Sequence, residues 1–172
     1  MKKGQRQVTI ALMRNEIEYD AQSILSVIAD TLPGEETAHV KHIYNDICED
    51  ENARRTIRFA DTAFAVLAEH LHGYTATPIG GDIDTDNIAH TPDVYTLAML
   101  MDVDTSSSQV ALIKTLSHDF VVLAIVCGWL ALIGSDRLDY YTSMRDTALA
   151  DAVKAADSHN RIGRVTPFFG NA

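Results

Sequence analysis

At 172 residues, 47% of them hydrophobic, the chain is long enough to bury a core as one domain, with no disulfide or metal needed to fold it. Acids outnumber bases 24 to 14, and the resulting net charge of −10 argues against a grip on nucleic-acid phosphates. The early apolar run VTIALM, six residues interrupted by Arg14, is too short for a signal peptide.

From Gln5 to Leu32, the positions Ile10, Met13, Ile17, Ile24, Leu25, Ile28 and Leu32 keep near-helical spacing, which predicts a long first helix stopped by Pro33-Gly34. Glu35 to Ile47 repeats the pattern in a shorter second helix that ends in the acidic run CEDEN. A third helix is predicted from Asn52 to His72 on the stripe Ile57, Ala60, Phe64, Leu67, Leu71, with Gly73 as its C-cap. Turn-formers fill 73 to 92, and VYTLAMLMDV, Val94 to Val103, reads as a strand or hairpin.

Hydroxyl caps between Thr105 and Ser108 open a helix from about Gln109 to Ile133. Its second half, Phe120 to Ile133, is fourteen residues long and apolar on every face. That falls short of the roughly twenty residues a membrane span requires, so it is expected to be enclosed by neighbouring helices or subunits. Gly134 breaks this helix, and Ser135 caps a last one from Arg137 to about His159, where small alanines permit close packing. The expected fold is therefore mainly α: a bundle of about five helices with a small hairpin or strand insertion near residues 74–103. Residues 1–160 form one domain and 161–172 a C-terminal arm.

Few residues suggest chemistry. Asp82, Asp84, Asp86 and Asp93 match positions 1, 3, 5 and 12 of a calcium loop, but Asn87 replaces the turn glycine and Asp93 the bidentate glutamate. A solvated loop is the better reading. Glu36-x-x-His39 is half of a di-iron signature with no second copy, which leaves His39, His42, His70 and His72 as polar helix-face residues or as ligands of a metal-binding alternative. Ser117-His118-Asp119 cannot act as a triad, because consecutive helical residues point about 100° apart. Cys48 and Cys127 form no redox or zinc spacing and read as reduced core thiols. Arg54, Arg55 and Arg58 make a dense basic cluster, either in a surface salt network with the acids before them or at a contact between subunits. No cofactor and no catalytic residue is expected.

The stretch from Leu112 to Phe169 has a helix that opens His118-Asp119-Phe120 and carries a late Trp129. An aromatic-rich helix and an arginine-glycine-arginine segment follow. With the acidic and amphipathic helices between Asp30 and Thr75, it resembles a family of short proteins from the virion-assembly modules of gut-bacterial prophages, similar in size and helix content to head-tail adaptor proteins. The resemblance implies a non-enzymatic structural protein, an oligomeric connector subunit whose partners are its own copies and portal or other virion proteins. It would reside in the host cytoplasm before assembly and in the virion after, with no membrane contact and no sequence-specific nucleic-acid binding. The arm holds Arg161, Arg164, Phe168 and Phe169, a basic and aromatic set in an acidic chain. It is expected to dock on a neighbouring subunit or the portal, the alternative being a tail folded on its own core.

Overall fold

The computed structural model describes residues 4–32, 38–75 and 92–157. In chain order these form β1 (Gln5–Met13), α1 (Arg14–Asp30), α2 (Ala38–Asn45), α3 (Asp50–His70), β2 (Val94–Asp102), α4 (Ser107–Ile133) and α5 (Leu138–Asp157). Short 3-10 turns at Asp46–Cys48 and His72–Tyr74 flank α3. Among the described residues the chain is a five-helix protein with one two-stranded antiparallel sheet, the mainly α architecture expected.

The first helix is shorter than its periodicity predicts. Gln5–Met13 is a strand, and it pairs with β2 in a register running from Gln5 opposite Asp102 to Met13 opposite Val94. Side chains alternate across it, with Ile10 and Leu12 in the core and Thr9 exposed, while Tyr95, Leu97, Met99 and Met101 do the same on β2. The strand expected near 94–103 is thus present, with a partner from the N-terminus. On its other edge β2 takes a bridge from Thr75 to Met99. Arg14 closes the corner between strand and helix: its guanidinium donates to the Pro92 carbonyl at 3.1 Å and to Asp93 at 3.0 Å.

Helix α4 is the axis of the molecule. Ser106 caps it by accepting from the Gln109 amide at 3.2 Å, and Gly134 ends it in the left-handed region at φ 66°. It is long and apolar enough to cross a membrane, yet 56% of its most apolar window is buried inside the protein, as in a core helix. Phe120, Val122, Ile125, Val126, Trp129 and Leu130 point in several directions and are all buried. Each such side chain contributes about 1.5–3 kcal/mol on leaving water. Helix α1 runs beside α4 in the same direction, as the pairing of Asp20 with His118 and the shared groove of Ile24 and Val122 show.

Helix α5 returns antiparallel along α4, with the Gln109 amide on the Ala155 carbonyl at one end and Thr142 beside Cys127 at the other. Its buried residues are Ala148, Ala152 and Ala156, whose small size lets the two helices approach closely. Ser135 caps α5 as expected, accepting from the Arg137 amide and from the Tyr44 hydroxyl. Gly73 is not the left-handed C-cap predicted for α3. The helix stops at His70 with Leu71 as its cap, and Gly73 lies inside the following 3-10 turn without a positive φ.

Candidate interaction surfaces

Because its packing is mainly on α4, α5 stands proud of the molecule with an open groove on each side. The groove toward α1 has a volume of about 450 Å³. Ile24, Leu116, Val122, Leu123, Met144 and Ala148 make it apolar, while Asp119, Asp151, Ser143 and Thr147 line its polar parts. Partial burial lifts the Asp119 carboxyl above the ordinary carboxylate value, with Asp20 adding to the effect and His118 opposing it. No lysine or arginine lines this groove.

The groove toward α3 is larger, about 730 Å³, and Phe59, Val66, Phe120, Cys127, Gly128 and Leu149 contribute to its walls. Its cation, Arg145, is held by Asp146 at 2.7 Å. Burial raises the Cys127 thiol above its ordinary value, so this cysteine is a core thiol without thiolate character, as the sequence implies. The Cys48 side chain lies outside the described residues.

Arg54, Arg55 and Arg58 lie on the outer surface of α3, all exposed, and no ion pair among the described residues includes them. The side chains of Asp50 and Glu51, two of the acids a salt network with this cluster would use, lie outside the described residues. Large apolar side chains are exposed elsewhere: Tyr19 at 71%, Tyr140 at 65% and Val27 at 62%. The arm residues Arg161, Arg164, Phe168 and Phe169 lie outside the described residues, as do Asp82, Asp84 and Asp86.

The histidines separate. His118 Nε2 lies 2.9 Å from Asp20 and joins α4 to α1, whereas Ser117 is fully buried with no hydrogen-bond partner for its hydroxyl among the described residues. The three residues 117–119 thus make no catalytic chain. His70 and His72 bond backbone carbonyls of Val66 and Glu69. Of the proposed ligand set His39, His42 and His70, only His42 joins a compact group, with Asp46 and Glu49, whose ligand atoms lie within 4.8 Å of one another. His70 sits at the opposite end of α3, roughly 30 Å away at 1.5 Å per residue, and the His39 side chain lies outside the described residues.

The His42–Asp46 spacing of four within a helical pattern was visible in the sequence, but the contribution of Glu49 depends on the 3-10 turn. The pairing of Asp119 with Asp151 across a groove was not visible, since it requires the antiparallel return of α5. Comparison of the chain with family models, curated proteins and solved structures finds no match.

Proposed function

We propose that this chain is a non-enzymatic structural protein of a prophage virion, an oligomeric head-tail connector or adaptor subunit that meets its own copies and portal or other virion proteins. The observation that carries the reading is the exposed cluster Arg54, Arg55 and Arg58, which no ion pair among the described residues includes, on a chain of net charge −10. On a different helix, α5, Asp139 and Asp151 are exposed without an ion pair among the described residues. A basic face and a different acidic face on one subunit favour head-to-tail contacts, which close into rings when the rotation between copies divides a full turn. Exposed Tyr19, Tyr140 and Val27 supply apolar contact area, and the acidic remainder suits a passage through which DNA moves without being held. The same reading places the protein in the host cytoplasm before assembly and in the particle afterwards.

Replacing Arg54, Arg55 and Arg58 together with glutamate is expected to abolish self-association in sedimentation while leaving helicity and Tm nearly unchanged, because exposed surface charges contribute little to the stability of a subunit. A variant that assembles like the parent overturns the reading.

A second reading, metal binding, has one observation in its favour. His42 Nδ1 lies 2.7 Å from Asp46, and Glu49 completes a nitrogen and two-carboxylate set suited to zinc or manganese. Titration calorimetry with zinc chloride and manganese chloride tests it. One-to-one binding that His42→Ala removes supports this reading, and heats equal to the buffer blank reject it.

A further inference from the structure

The two grooves beside α5 differ in charge although both are apolar within. The α3 groove carries Arg145 and Asp146, paired with each other, on its wall, while the α1 groove carries Asp119 from α4 and Asp151 from α5 and no cation. A segment seated in the α1 groove must therefore offer apolar side chains for Leu123 and Met144 and positive charge for the two carboxylates. One stretch of this chain beyond the described residues has both in the right order: Arg161 and Arg164, then Phe168 and Phe169.

We propose that the α1–α5 groove is the seat of the segment Arg161–Phe169 from the neighbouring copy, which locks each subunit to the next. The inference rests on the reading of the chain as an oligomeric subunit, and it assigns the acceptor surface that reading lacks. Its donor end is fixed. The Tyr74 hydroxyl bonds the Asp157 carboxylate and holds the last turn of α5 against the end of α3, so the segment departs from a defined point. From there residues 158 to 168 span at most roughly 40 Å when extended, about one small-domain diameter and enough to reach an adjacent copy. Arginines steer toward Asp119 and Asp151 and set the register. The phenylalanines fill the space over Leu123 and Met144, where desolvated aromatic anchors contribute most of the binding. The α3 groove is the poorer receptor, because its carboxylate, Asp146, is already paired with Arg145 and offers the arginines no free negative charge.

The experiment is disulfide trapping between differently tagged full-length copies in a Cys48→Ala background, one copy carrying Met144→Cys and the other Phe168→Cys. Met144 is 40% exposed, so its replacement leaves the core intact, and buried Cys127 does not compete. Mild oxidation of the mixed assembly is expected to give a covalent heterodimer of the two tags. Adding Asp119→Lys and Asp151→Lys to the acceptor should cut its yield at least tenfold, and Arg161→Asp with Arg164→Asp on the donor should restore it. A chain carrying both cysteines that forms only an internal disulfide overturns the proposal, as does an assembly that keeps its size without any cross-link. In the latter case the groove assignment fails while the oligomeric reading stands. A protein that sediments as single chains sinks both.

Discussion

Gly128 of α4 faces Phe59 of α3 so closely that a Cβ at position 128 would lie 2.9 Å from three of its ring carbons. Glycine in mid-helix costs about 0.5–1 kcal/mol relative to alanine, and here it admits the ring that packs α3 onto α4. Gly128→Ala should therefore destabilise the protein by about 1–2 kcal/mol despite its better helix propensity, since displacing the ring outweighs the gain. In a Phe59→Ala background the same substitution should become stabilising by up to about 1 kcal/mol. Urea unfolding of the four proteins in the cycle reads the change of sign, and a harmless Gly128→Ala in the parent would show that the contact is not tight.

Trp129 is 4% exposed, and its indole N–H donates to the Ile43 carbonyl at 3.1 Å. Ile43 lies in the last turn of α2, where carbonyls lack helical partners, so this bond pins a short helix to the core. Trp129→Phe should cost about 1–3 kcal/mol because it leaves that carbonyl unsatisfied, and Trp129→Ala about 3–5 kcal/mol through the added cavity. Emission from Trp129, the chain's one tryptophan, should be blue-shifted in the native protein, and a water-like spectrum would contradict this burial.

The Tyr95 hydroxyl donates to Asp61 at 2.7 Å, tying β2 to α3. Burial first, and then the Asp61 carboxylate, raises this phenol well above its ordinary value of 10.0. The unfolded chain releases the proton near that ordinary value while the folded protein retains it, so above it the native state binds more protons. Stability falls as pH rises past about 10 and is unaffected by this group below that point. Tyr95→Phe should remove part of the alkaline loss, seen as a smaller drop in urea midpoint between about pH 8 and about pH 11. An identical drop in both proteins would place the alkaline sensitivity elsewhere.

Much of the helical framework was legible because its signals are local. Ser106, Gly134 and Ser135 mark the ends of α4 and α5, and the 27-residue α4 declares its burial by being apolar on all sides. Strand β1 was not legible, for a physical reason. Val8, Ile10 and Leu12 alternate, yet Ile10, Met13 and Ile17 also satisfy helical spacing, and what decides between them is pairing with a strand some ninety residues away in sequence. The boundary is silent as well, since the N-cap of α1 is Met13, which makes no side-chain cap hydrogen bond. Gly73 misled in the opposite direction: its position after a long helix suggests a left-handed cap, but the backbone there tightens into a 3-10 turn. The interaction surfaces were half legible. The arginine cluster stands out in the sequence as a dense basic run, whereas the acidic groove appears only when α1, α4 and α5 are assembled.

The most direct measurement of the central claim is the mass distribution of the full-length protein in solution, by mass photometry or native mass spectrometry, in low and high salt. A single closed oligomer is predicted in low salt, shifting toward smaller species as ionic strength screens the contacts made by Arg54, Arg55 and Arg58. A mass of one chain at all concentrations and salt levels, with the helices intact, would contradict it.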